Sequence, residues 1–428
     1  MKILLVNNFF APEGGAELST FLTYQLLQQQ GHEVAFFATN RQPYFIPDYP
    51  YARYFPEYRD YDELDGTADK VKNLPRMFYN GDAEKQMDAM LTDFKPDVVH
   101  CNNIYYHLTP AILKACKRHR VPVLMTLRDV RLMCPAGTLK RGDGQYCAEE
   151  LCVTGSAAHC IINKCYGNNL ANSVVVTTEY YFRKLHGLYD TVTTFIAPSQ
   201  AICDLAVRSG IAPERMTVIN NFIDDNFFAQ PAPTVPGDYF LFVGRLSREK
   251  GVLDLLDAMA RLKPTAQGLP TLHIVGQGPE EQEIKRKTEE LGLNNVVFRG
   301  FMTGPAIQEA YRNCLASLVP SNWFENFSRT VIESCAFGKP VIGSRIGGIQ
   351  EVVEHEANGL LFTPGNVPEL AACLQRIADN PAWAVELGQR ARQKAEAHYN
   401  SRVYLEKTIA AYQQALMKSP RGALAAGR

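Results

Sequence analysis

Short apolar runs alternate with amphipathic stretches through most of this chain. Residues 1–6 read as a buried strand ending in Asn7-Asn8, and helical spacing then continues through Gln30 until Gly31 stops it. Residues 33–38, 96–100 and 121–126 read as further strands, Ala197-Pro198-Ser199 closes another, and residues 218–221 form one more. The pattern restarts at residue 239, with apolar runs at 239–243, 272–275, 315–319 and 340–344. Between them lie helical spacing at 252–262, an amphipathic stretch at 329–337 and, after the last run, the segment 349–355. Past Pro368 the chain reads as mostly helical. Strands alternating with helices predict an α/β protein with parallel, doubly wound sheets, because parallel neighbours need a crossover between them.

Length sharpens this picture. A chain of 428 residues exceeds one hydrophobic core, so two domains of roughly 200 residues each are expected. The proline-rich stretch Gln230-Pro-Ala-Pro-Thr-Val-Pro236-Gly237 suits the junction. The expected division is 1–225, a linker at 226–237, a second domain at 238–400, and a final helix with a frayed tail at 401–428. With 44 basic and 45 acidic residues the net charge is −1, and no basic field suited to nucleic acid is visible. Residues 1–6 are too short for a signal peptide, and no uncharged run approaches the roughly 20 residues needed to span a bilayer, so a cytoplasmic location is expected.

The candidate chemistry gathers at the strand ends of the second half. Glu325 follows the apolar run 315–319 in a polar, aromatic turn, and Glu333 lies seven intervening residues later inside the amphipathic stretch. A loop carboxylate can accept hydrogen bonds from sugar hydroxyls and a helical one can hold a ribose diol, while the free N–H groups around Asn326, Phe327 and Ser328 suit an anion. Arg245 and Lys250 lie at another strand-to-helix corner, where a pyrophosphate would be neutralised. Gly276-Gln277-Gly278 ends a further strand and either permits close backbone approach or makes a tight turn.

In this order, Gly244-Arg245…Lys250-Gly251, Gly276-Gln277-Gly278-Pro279, Glu325-x7-Glu333, Gly338-Lys339-Pro340, Gly347-Gly348…Glu351 and Asn358-Gly359 resemble the retaining glycosyltransferases of family 4. The resemblance implies the GT-B fold: two Rossmann-like domains facing across a cleft, with a C-terminal helix, here near residues 401–417, crossing back to the first. It implies transfer of a sugar from a nucleoside diphosphate sugar, UDP- or GDP-linked, to a glycan, glycolipid or other acceptor in polysaccharide or cell-surface glycoconjugate synthesis. Arg245, Lys250 and Glu325 would then be catalytic. Gly14, Gly15, Gly276, Gly278, Asn326, Phe327, Ser328 and Glu333 would bind donor, and no catalytic metal is expected. A nucleotide-sugar epimerase of the same fold and a non-catalytic nucleotide-sugar-binding protein are the alternatives.

On the acceptor side the chain departs from its relatives. Where they often have His-Asp, this sequence has Arg128-Asp129, and an arginine cannot accept a proton at working pH. Arg128 could bind an anion or pair with Asp129, and His100 or His107 could fill the gap. An insert at 129–170 carries Cys134, Cys147, Cys152, Cys160 and Cys165, for which a structural zinc, reduced thiols and disulfides are the competing readings. The basic run Lys114…Lys117-Arg118-His119-Arg120 could touch anionic lipid at an inner membrane face or be a solvated helix end. The aromatic region 44–61 suits a glycan site or a mobile loop, and Asp60-Tyr61-Asp62 reads as surface.

Overall fold

A computed structural model describes residues 1–11, 14–60, 67–147, 150–266 and 268–419, with backbone only at 67–72. Two compact units emerge. The first comprises residues 1–198, 202–219 and the chain from 405, and the second comprises 199–201 and 220–404. The segment expected as a linker, 226–237, belongs to the second unit, where Phe228 O accepts a hydrogen bond from Arg392 Nη2 at 2.8 Å.

The first unit is built on six parallel strands: β1 (Lys2–Val6), β2 (Glu33–Phe37), β3 (Val98–Cys101), β4 (Val123–Thr126), β5 (Val192–Ala197) and β6 (Met216–Val218). Their order is β2-β1-β3-β4-β5-β6. Ile3 to Val6 are fully buried, as a strand covered on both faces requires, and each such side chain contributes about 1.5–3 kcal/mol. The final helix, Ser401–Lys418, adds its residues from Leu405 to this unit, where Tyr412 is fully buried. The aromatic region 44–61 is largely packing: Tyr49 and Phe55 are buried, Phe10 stacks on Phe36 at 4.5 Å, and Phe21 stacks on Phe45 at 4.1 Å. Of Asp60-Tyr61-Asp62, the last two residues lie outside the described residues.

The second unit carries β7 (Tyr239–Val243), β8 (Thr271–Val275), β9 (Val296–Gly300), β10 (Cys314–Val319), β11 (Val341–Ser344) and β12 (Gly359–Phe362), again all parallel. Their order is β12-β11-β10-β7-β8-β9. Central β10 is buried at all six positions, which explains its unbroken apolar run. Helices Val252–Met259 and Val367–Asp379 close the core over Phe240, Phe242, Leu272 and Leu318.

Candidate active site

Chain order in the second sheet reverses between β7 and β10: β8 and β9 extend one way, β11 and β12 the other. Loops leaving the carboxyl ends of such neighbours diverge to opposite faces and open a crevice suited to a ligand. The loop after β7 carries Arg245 and Lys250, and the loop after β10 carries Glu325. They are joined directly. Lys250 Nζ lies 2.6 Å from Glu325 Oε1, Ser321 Oγ donates to the same oxygen at 2.7 Å, and Asn322 N donates to Glu249 O at 2.8 Å. The Glu325 side chain is 10% exposed and that of Lys250 29%, so the pair is shielded yet reachable from solvent. Arg245 is exposed, and its guanidinium makes no hydrogen bond or ion pair among the described residues, leaving five N–H donors available.

Glu333 is held by a second set of contacts. It lies on the helix Arg329–Ala336, where Arg329 Nε donates to Oε1 at 2.7 Å, and the hydroxyl of fully buried Tyr311 donates to Oε2 at 3.1 Å. Burial, and then the neighbouring Glu333 carboxylate, push the Tyr311 phenol well above its ordinary range, which keeps it a donor. The helix starts at Ser328 with no side-chain cap, so its first N–H groups are not satisfied by that residue. Asn326 is half-buried, and the Phe327 ring is buried against Tyr399, leaving backbone rather than side chain as its polar contribution.

The glycines of the second unit hold these loops in place by letting backbones touch. Gly347 has φ +52°, and a Cβ there would lie 2.2 Å from Glu325 O, the atom that accepts the Gly348 N–H at 2.7 Å. Likewise a Cβ at Gly276 would meet Gly244 O at 1.8 Å, and one at Gly278 would meet Leu246 O at 2.3 Å. Gly276 and Gly278 therefore seat the Arg245 loop on the end of β8.

In the first unit the chain-order reversal falls between β1 and β3. Asn7, Asn8, Asn102 and Asn103 follow those strands, and Gly14, with φ +78°, precedes the helix Gly15–Gln29. Asn103 N donates to Asn7 Oδ1 at 3.0 Å, and Asn8 N donates to Asn103 O at 2.6 Å. Arg128 Nε donates to Asn102 Oδ1 at 3.0 Å, which sets it at this edge. Asp129 turns elsewhere: it is half-buried, accepts the Arg131 N–H at 2.9 Å, and desolvation raises its carboxyl although Arg131 opposes the shift. His100 does not sit as a proton-transfer group would. Its ring is buried between Tyr412 Oη and Thr126 Oγ1, each at 2.7 Å, and burial, then Arg128, depress its pKa to about 3. His107 packs against Phe9 and Tyr58, with ring centroids 5.2 Å away in each case.

Comparison with known proteins places this geometry. Residues 13–227 match Glycosyltransferase Family 4, and residues 224–396 match Glycosyl transferases group 1. The chain belongs to glycosyltransferase family 4. It is similar to an uncharacterised glycosyltransferase of Methanocaldococcus jannaschii, with 24% identity over 79% of this chain and 80% of that one. It is also similar to glycogen synthase of Mycobacterium tuberculosis, with 32% identity over 46% of this chain and 48% of that one, about half of each. Among solved structures, HepE of Anabaena in complex with UDP superposes with a TM-score of 0.62 at 20% identity, covering 97% of this chain and 100% of that one. The fold is GT-B.

All eleven cysteines are free thiols, and among the described residues no group of three or more His, Cys, Asp or Glu is arranged to hold a metal ion. A hydrogen bond from the Cys165 thiol lowers the pKa of the Cys160 thiol. In the basic run at the end of helix Ile112–Arg118, Arg118 pairs with Glu84 and lies 2.9 Å from Asp88, while Lys114, Lys117 and Arg120 are exposed. Ser321, Arg329 and Tyr311 were not anticipated. Arg329 had a local signal, its i,i+4 spacing to Glu333, whereas Tyr311 had none, since its partner lies 22 residues away.

Proposed function

We propose that this family 4 enzyme takes a nucleoside diphosphate sugar as donor and moves the sugar, with retained anomeric configuration, to a glycan or glycolipid acceptor. The observation carrying this reading is the Lys250–Glu325 pair, with Arg245 beside it, at the carboxyl ends of β7 and β10. As the bond between the anomeric carbon and the diphosphate oxygen breaks, negative charge grows on the leaving diphosphate, and fixed cations stabilise that state most. Arg245 offers an exposed planar fork and Lys250 an oriented point charge, and the uncapped start of helix Arg329–Ala336 adds N–H donors. Glu325 orients Lys250 and accepts sugar hydroxyls. Glu333, held by Arg329 and Tyr311, accepts the ribose diol. The departing diphosphate takes the acceptor proton, so no protein base is required.

UDP bound in the structurally similar HepE and the similarity to a glycogen synthase support a nucleotide-linked donor and a glycan acceptor. The test is transfer from UDP- and GDP-linked sugars to glycan and glycolipid acceptors, with the anomeric configuration of product followed by NMR. An inverted product, or conversion of donor with no acceptor present, overturns the proposal.

A further inference from the structure

The described residues of this chain expose few large apolar side chains, and five of them belong to one short region of the first unit. Ile162 is 71% exposed and Leu185 82%, and Leu170, Val174 and Tyr181 are exposed between them. Four of the five lie on one helix, Leu170–Leu185, at spacings of four, seven and four residues, which place them along one face. The stripe from Leu170 to Leu185 spans about 22 Å at 1.5 Å per residue. Ile162 sits on the preceding helix Ala158–Ile162, which packs against it. Single exposed apolar residues are ordinary on protein surfaces, whereas an aligned set marks a contact.

Charge identifies what the contact is made with. From residue 156 to 187 the sequence holds one acid, Glu179, which is buried and lies 3.4 Å from Arg183 Nε. Lys164 and Lys184 are exposed, and neither has an ion-pair partner among the described residues. Lys184 adjoins Leu185 at the end of the stripe. The basic end of helix Ile112–Arg118 differs in its apolar residues: Ile112 and Leu113 are buried there, and no large apolar side chain of that helix is exposed. An elongated apolar stripe with a tyrosine, exposed lysines at its margins and no exposed acid between residues 156 and 187 has the composition of a face that rests in the headgroup region of an anionic bilayer.

We propose that the helix Leu170–Leu185, with Ile162 beside it, is a docking face that holds this enzyme on anionic lipid surfaces. The apolar side chains enter the acyl boundary, and Lys164 and Lys184 meet lipid phosphates. The proposal concerns attachment and does not depend on the donor assignment.

The test is co-sedimentation of the full chain with vesicles of phosphatidylcholine alone or containing phosphatidylglycerol, with light scattering for oligomeric state. Wild type is expected to pellet with the anionic vesicles and to stay in solution with phosphatidylcholine alone. Lys164→Ala/Lys184→Ala should weaken anionic binding about tenfold or more, since each removed cation forfeits an attraction of order 1 kcal/mol near such a surface. Val174→Glu/Leu185→Glu should abolish it, while Leu291→Glu, an exposed site in the other unit, should bind as wild type does. Circular dichroism melts report folding, and Leu185→Gln alone serves where the double variant melts early. Wild-type protein that remains in solution with anionic vesicles overturns the proposal, as does undiminished binding of the Leu185 variants. A wild-type dimer that those variants dissociate also overturns it, because the face would then belong to a second copy of the chain.

Discussion

Replacing Lys250 by alanine should separate two effects that Arg245→Ala does not combine. Lys250 Nζ lies 2.6 Å from a Glu325 carboxylate whose side chain is 10% exposed, so truncation leaves an anion with the Ser321 hydroxyl as its remaining side-chain donor among those described. Breaking a fully buried pair costs about 3–5 kcal/mol, but Lys250 is 29% exposed and water can enter its place, so about 2 kcal/mol is the expected loss. For a unit of this size that corresponds to a fall in Tm of roughly 4–8 °C. Arg245 is exposed with no ion-pair partner among the described residues, so its truncation should change stability by no more than about 0.5 kcal/mol. Both variants should lose about a hundredfold or more in kcat, the scale of removing one oriented donor from a developing negative charge. Adding Glu325→Gln to Lys250→Ala removes the stranded charge, so the double variant should melt above the Lys250→Ala single. Thermal melts followed by fluorescence and transfer rates with excess donor provide the assay. The reasoning fails if Lys250→Ala melts where Arg245→Ala does, or if the double variant shows the full sum of both single losses.

Gly347→Ala places a Cβ 2.2 Å from Glu325 O at φ +52°, so chemical denaturation should show a loss of about 2 kcal/mol or more. Gly81→Ala, where a Cβ meets nothing within 4 Å, should stay within about 0.5 kcal/mol. Glu333→Gln should raise the donor KM about tenfold with a smaller change in kcat, as loss of uniform binding does, and Tyr311→Phe should do so more weakly. His100, held to about 3 in the folded state, is protonated first in the unfolded chain, so its contribution to stability is present above the ordinary histidine value near 6.5 and declines as pH falls from there toward 3. The slope is about 1.4 kcal/mol per pH unit at most, so between pH 7 and 5 wild type should lose about 2 kcal/mol more than His100→Asn, and parallel losses in urea melts would count against the buried neutral ring.

Much of the fold was legible because fully covered parallel strands leave long apolar runs, as at Lys2–Val6, Tyr239–Val243 and Cys314–Val319. β9 and β12 were missed. Val296–Gly300 is a half-exposed edge strand carrying Arg299, and Gly359–Phe362 is only four residues long, so neither gives a strong pattern. β6 was expected at 218–221 and forms at Met216–Val218, a shift natural for a three-residue edge strand. At the site, residue types pointed to charge and hydrogen bonding, but pairing depended on strand order. Lys250 and Glu325 are 75 residues apart, and only the adjacency of β7 and β10 brings them together. The surroundings of His100 were hidden for a similar reason: Tyr412 lies 312 residues away, and nothing local shows that the last helix seals that ring.

The central claim is that a nucleoside diphosphate binds at the corner formed by Arg245, Lys250 and Glu325. Calorimetric titration of UDP, GDP and ADP into the wild-type chain and into Arg245→Ala tests it most directly. At least one of the three should bind wild type with a clear preference over the others, and Arg245→Ala should weaken that binding about tenfold or more while melting as wild type does. Equal affinity in the two proteins, or no binding of any of the three, would contradict the account.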